Sequence, residues 1–131
     1  MSESLTAAYA ASGYEAAGAV AHVGRRSPAV DALLRRLGAR EGAFITAWNP
    51  YSRRMPRGWN DRMHARLLEA TRRLPRAGGW GGTDQWQEQH LLLGADPRRS
   101  AAIARRFRQN AIVAIRVGGP ARLLLLLLRR P

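Results

Sequence analysis

Two groups of side chains in this chain have the types and spacing to do chemistry. The first is polar. Trp48 and Asn49 close an apolar run, Asn60 stands at the start of a helical stretch, Glu88 lies in a strand-like run, and Gln109 and Asn110 fall between a helical stretch and a strand. On a helical wheel Asn60, His64 and Thr71 border the apolar arc, which turns them toward the sheet edge where Asn49 emerges. Amides with one carboxylate can cradle a small polar ligand or a nucleobase at the rim of a sheet. The same residues also have a plain structural use: Asn49-Pro50 favours a turn, Asn60 is a natural N-cap, and Asn110 suits a helix C-terminus.

Catalysis has thin support. Glu88 with His64 or His90 is the acid–base set on offer, which makes a hydrolase geometrically possible and no more. There is no paired-carboxylate motif, no GxSxG and no Walker loop. His22, His64 and His90 lack metal-ligand spacing, and the chain has no cysteine. The Gly-rich 78–82 segment does not lead into a helix, so it is a poor phosphate loop. No catalytic residue, metal or cofactor is assigned.

The second group is basic. At 3.6 residues per turn Arg98, Arg99, Arg105 and Arg106 fall within an arc of roughly 120°, opposite Ile103 and Phe107. Arg62, Arg66 and Arg73 share another helical face, diluted by Glu69, which can pair with Arg73. The loop before that helix adds Arg53, Arg54 and Arg57 beside Tyr51 and Trp59. Arginines neutralise phosphate and aromatics stack on bases, the combination used on single-stranded nucleic acid. All 22 basic residues are Arg, against 9 acids, for a net charge of +13. Choosing Arg over Lys throughout fits a codon bias; the surplus of base over acid is not explained that way. It points to RNA, DNA or an acidic protein surface, held by Arg53, Arg54, Arg57, Arg98, Arg99, Arg105 and Arg106. No RNP, KH or zinc-finger signature accompanies them, so sequence-specific reading is not expected.

The elements that must position these groups are those of one small domain, residues 1–131. Ser27-Pro28 starts a helix whose stripe is Val30, Leu33, Leu34 and Leu37, closed by Gly38. Ala43 to Trp48 reads as a central strand stopped by Pro50, and 50–59 as a loop. A helix runs from Asn60 to about Leu74, followed by a flexible break at Pro75 and Gly78 to Gly82. Trp86 to Leu93 reads as a strand. Asp96-Pro97 repeats the cap signal for a helix to about Arg108. Ala111–Val117 and Ala121–Leu128 form a hairpin around Gly118-Gly119-Pro120. Residues 1–12 read as a loosely attached N-terminal helix and Tyr14 to Val23 as a first strand. The expected fold is α+β: a mixed, mostly antiparallel sheet with helices packed on it, connected from Ala43 onward as a ferredoxin-like split-βαβ core.

The segments Thr46-Ala47-Trp48-Asn49-Pro50 and Arg105-Arg106-Phe107-Arg108-Gln109-Asn110-Ala111-Ile112-Val113, with Ser52, Asn60, Trp86, Glu88 and leucines 91–93 between them, resemble an uncharacterised bacterial family, the domain of unknown function 3293. The resemblance spans about residues 14–128 and implies a shared fold, with no activity attached. The stretch between Leu74 and Trp86 is short and Gly-rich beside the family pattern, and the arginine load is not a family trait. The chain lacks an apolar signal segment, and Leu123–Leu128 is too short to span a bilayer. No membrane association is expected, and a cytoplasmic location fits the missing cysteines. The leading expectation is a non-enzymatic domain that binds nucleic acid or another polyanion. The rivals are a small-molecule or nucleotide site built from Trp48, Asn49, Asn60, His64, Glu88, Gln109 and Asn110, and an interaction protein that uses its Leu-rich last strand as a dimer edge.

Overall fold

The computed structural model describes residues 7–9 and 11–126. The sheet has seven strands, β1 (Gly13–Ala16), β2 (Ala19–His22), β3 (Glu41–Thr46), β4 (Arg76–Thr83), β5 (Trp86–Leu93), β6 (Ala111–Arg116) and β7 (Arg122–Leu125), in the order β2-β1-β4-β5-β3-β6-β7. Helices α1 (Pro28–Arg36), α2 (Arg57–Ala70) and α3 (Pro97–Arg106) pack on it. Among the described residues every strand pair is antiparallel, and the single parallel contact is an isolated bridge between Val23 and Ala121. From β3 to β6 the chain runs β-α-β-β-α-β, and β5 lies between β3 and β4, which is the split-βαβ connection. The fold is α+β, as expected.

Local chemistry explains most element ends. The Ser27 hydroxyl accepts a hydrogen bond from the Val30 N–H, and Pro28 follows at the first helical position of α1. Asp96 accepts from the Arg98 N–H, and Pro97 opens α3. At the end of α2 the Thr71 hydroxyl donates to the Leu67 carbonyl. The Arg76 guanidinium reaches back to the Leu68 carbonyl and to Thr71 Oγ1. A cation thus occupies the negative end of that helix dipole.

Alternation along the strands divides the core into two layers. On one face α1 buries Val30, Leu33 and Leu34 against Tyr14, Phe44, Leu92 and Val113. On the other, α2 and α3 bury Leu67, Ala101, Ile103, Ala104 and Phe107 against Ala43, Ile45, Leu91, Leu93 and Ile112. The middle of the central strand β3, Ala43 to Ile45, is therefore apolar, because both of its faces are covered.

Four sequence expectations need correction. The run 14–23 is a hairpin, turned at Ala17 and Gly18, both with positive φ, and the Gly18 N–H donates to Glu15. Asn60 is no N-cap: α2 begins at Arg57 behind Pro56, and Asn60 lies one turn inside it. That helix also ends at Ala70 rather than near Leu74. The Gly-rich break is strand β4, paired along its length with β5. Glycines suit it because β1 runs so close that a Cβ on Gly79 would overlap the Glu15 carbonyl. Of the helix expected over 1–12, residues 7–9 and 11 are helical, while 1–6 and 10 lie outside the described residues. The end of the last strand, 127–128, lies outside them too.

Candidate functional site

Helix α1 covers only part of its face. Beyond it, over the ends of β3, β5 and β6, the sheet holds a cavity of about 290 Å³. Trp86, Glu88 and His90 are alternate residues of β5 and so share this face, as do Phe44 and Thr46 of β3 and Ala111 and Val113 of β6. On β4, Gly81 leaves the space that the His90 and Tyr14 rings fill, since a Cβ there would stand 2.8 Å from each. Ala8 and Tyr9 border the cavity from the N-terminal side, with the Ser12 hydroxyl donating to the Ala8 carbonyl and the Tyr14 hydroxyl to that of Tyr9.

The polar groups of this cavity include two acceptors on β5. Burial pushes the Glu88 carboxyl above the ordinary carboxylate range, opposed by hydrogen bonds from Asn49 and Trp86 and by the charge of Arg54. Burial pushes His90 down to about 4, so its ring is neutral. Its Nδ1 lies 2.8 Å from the Glu88 carbonyl oxygen and donates to it, which makes Nε2 an acceptor. The Gln109 amide nitrogen donates to the carbonyls of Trp48 and Phe107, at 3.0 and 3.1 Å. Two carbonyl partners fix which end of that amide is nitrogen, so its oxygen points elsewhere. Tyr9, raised above its usual value chiefly by burial, lies beside Ser52 and Asn110 and feels the charge of Glu88.

A strained loop forms one wall. Asn49, Tyr51 and Ser52 all have positive φ, at 46°, 54° and 62°. Asn tolerates that region; Tyr and Ser enter it at a cost of about 1–3 kcal/mol each. Asn49 holds the loop in place. Its Oδ1 accepts from the Met55 N–H at 2.8 Å and from Asn60 Nδ2 at 3.0 Å. Its Nδ2 donates to Glu88 Oε2 at 2.9 Å, and its own N–H donates to Asn60 Oδ1. Asn110 donates to the Ser52 hydroxyl at 2.9 Å, and the Tyr51 N–H to the Arg108 carbonyl.

The predicted polar set is therefore brought together in part and divided by role. Asn49, Asn60, Glu88, Gln109 and Asn110 form one linked group, in which Glu88 and Gln109 line the cavity and the three asparagines tie the loop. His64 stands apart on α2, across the sheet from Glu88, held below its ordinary value by burial. The Trp48 ring turns to that side as well, edge-on to Trp80 at 5.4 Å. Sequence reasoning missed Tyr9, Tyr14, Phe44 and Thr46 as part of the site, and named His90 only as an acid–base partner for Glu88. For His90 a signal was available, since Trp86, Glu88 and His90 recur at every second residue.

The basic residues divide too. Arg54 lies over the Trp86 ring at 4.3 Å, at the rim of the cavity. Arg57 faces the Trp48 and Trp80 rings and pairs with Asp61 at 2.9 Å. Arg98 pairs with Asp96, while Arg53, Arg99, Arg105 and Arg106 are exposed with no acid in ion-pair range among the described residues. Exposed Arg62, Arg66 and Arg73 add to the α2–α3 side, but Arg35 and Arg36 project from α1 on the opposite side. Among the described residues no three His, Asp or Glu side chains gather as a metal site would require. Nor is any helix there long and apolar enough to cross a membrane.

Fold and cavity together define a small α+β domain that carries a ligand-sized pocket on one sheet face. The family model described as "Protein of unknown function (DUF3293)" matches residues 45–112, and the chain belongs to that family. The match runs from β3 into β6, so it takes in Asn49, Asn60, Glu88 and Gln109 but neither Tyr9 nor α1. No curated protein and no solved structure matches the chain.

Proposed function

We propose that this domain binds a small, donor-bearing molecule in the cavity beside Glu88. One observation carries the reading: a half-buried carboxylate sits in a mostly apolar cavity, next to a loop that keeps two unfavourable backbone conformations. Burying a carboxylate costs free energy, and the hydrogen bond it accepts from Asn49 could be made by a neutral oxygen. Such costs gather where a site must be held ready. We read the role as binding rather than catalysis, because His64 lies across the sheet and His90 is committed to the Glu88 carbonyl. A reducing compartment, the cytoplasm, suits a chain without cysteine.

The test is a thermal-shift screen of a fragment collection against the native protein and Ala111→Phe, whose ring would fill the cavity. Fragments that stabilise the native protein and not the variant support the reading. An absence of hits, or hits that stabilise both proteins equally, overturns it.

A second reading has its own observation. α2 and α3 lie side by side, and Arg62, Arg66, Arg99, Arg105 and Arg106 on them, with Arg73 just after α2, are exposed without an acid in range among the described residues. Such a surface would bind RNA, DNA or an acidic protein through charge alone. It ranks second because exposed arginines also stand on α1, so positive charge is not confined to one face.

A further inference from the structure

We infer that the ligand of this pocket is a guanine base carrying a phosphate; the inference rests on the pocket reading above. It follows from what the cavity offers and what it lacks. Its interior presents acceptors: the Glu88 carboxylate and the free ring nitrogen of His90. Asn49 donates to Glu88 Oε2 and Trp86 also donates to the carboxylate, which leaves about two of its roughly four lone-pair sites for a ligand. A matching ligand must therefore offer adjacent donors. At about 290 Å³ the cavity stands at the small end of ligand sites, which run from roughly 300 to 1,000 Å³. Its walls include Trp86, Tyr14 and Phe44, which suit a flat ring.

Charge narrows the choice. A small cation would satisfy the carboxylate, but the whole chain carries +13 and repels cations from its surface. A neutral ring with a donor edge and an anionic tail meets both conditions. Among the common bases, guanine alone turns two adjacent donors, the ring N–H and the amino group, toward a two-oxygen acceptor. Adenine and cytosine each set an acceptor beside their amino group, and uracil flanks its single donor with two carbonyls. In those three, lone pairs would face the carboxylate. At the rim the Arg54 guanidinium lies over the Trp86 ring, 4.3 Å from its centroid, where it can take a phosphate in two parallel hydrogen bonds. The Ser52 hydroxyl, on the strained loop, lies at the same border.

A phosphorylated guanosine can be free or part of a strand, and the experiment separates the two. Calorimetric titration of the full chain with GMP, AMP, CMP and UMP is expected to show GMP bound at least tenfold more tightly than the others. Glu88→Gln should lose that preference, because an amide sets one donor against the base's donors. Arg54→Ala should weaken GMP about tenfold more than it weakens guanosine. A pentamer of uridines with one central guanosine, set against the same strand with adenosine, reports the source: binding tighter than GMP identifies a strand, weaker binding a free nucleotide. Equal affinity for all four nucleotides, or a preference that survives Glu88→Gln, overturns the inference. If fragments bind the cavity but no nucleotide does, the guanine assignment fails and the pocket reading stands. If neither binds, both fail.

Discussion

Acid should weaken this domain through one residue, His90. Its ring is buried between β5 and the Tyr14 ring, with Nδ1–H committed to the Glu88 carbonyl. Desolvation dominates and holds the imidazole near 4 instead of the ordinary 6.5. The sign follows from which state takes the proton. Between pH 6.5 and 4 the unfolded chain protonates this histidine and the folded chain does not, so stability falls as pH drops. Over that interval the loss is about 3 kcal/mol, at about 1.4 kcal/mol for each pH unit. That is a large share of the roughly 5–15 kcal/mol that holds a domain together. His64, also lowered by burial, acts in the same direction, and Glu88, raised by burial, acts in the opposite one. The test therefore compares native protein with His90→Asn, in which an amide N–H replaces the ring donor and nothing titrates at that position. Urea unfolding at half-unit steps from pH 7 to 4 should show the native protein losing about 3 kcal/mol more than the variant. Parallel curves would refute the argument, because they would mean that His90 takes a proton equally in both states.

Four further outcomes are expected. Glu88→Gln should be as stable as the native protein at pH 7 or more so, since it removes a buried charge. It should also lack the stability the native protein gains when pH falls through the raised Glu88 value, as chemical denaturation across pH 7 to 4 would show. Binding of a donor-bearing ligand should weaken on acidification at a higher pH than for an ordinary carboxylate, readable by calorimetry at several pH values. Asn60→Ala should cost about 3 kcal/mol in urea unfolding, because the buried Asn49 N–H and side-chain oxygen lose their shared partner. If polyanions bind the α2–α3 surface, their affinity should fall by roughly 0.7–0.9 log units per phosphate contact for each tenfold rise in salt. Replacing Arg99, Arg105 and Arg106 with alanine should flatten that slope in a fluorescence-anisotropy titration.

The sequence made the helices legible because their caps are local chemistry. Ser27-Pro28 and Asp96-Pro97 each satisfy a helix N-terminus within four residues, and both helices begin where those pairs stand. β5 and the β6–β7 hairpin were legible from apolar runs bounded by turn residues. β4 was not. Its glycines read as a break, yet Gly79 and Gly81 leave room for the Glu15 carbonyl and the Tyr14 and His90 rings, and Glu15 and Tyr14 lie far away in the chain. Asn60 was misread for a related reason. An asparagine before an apolar stripe favours a cap, but here its amide is taken by Asn49 eleven residues earlier, and Pro56 starts the helix. The candidate site was half legible. Its polar members stood out by type, whereas Tyr9, Tyr14 and Phe44 are ordinary core residues until the curl of the sheet gathers them around Glu88.

One experiment tests the pocket most directly: mapping of ligand-induced shifts in the amide resonances of the isotopically labelled chain, with the fragment or nucleotide that binds best. Perturbations are expected at Tyr9, Thr46, Ser52, Trp86, Glu88 and Gln109, and they should vanish in Ala111→Phe. Shifts confined to the arginines of α2 and α3, or the same shifts in the filled variant, would contradict a binding site at Glu88.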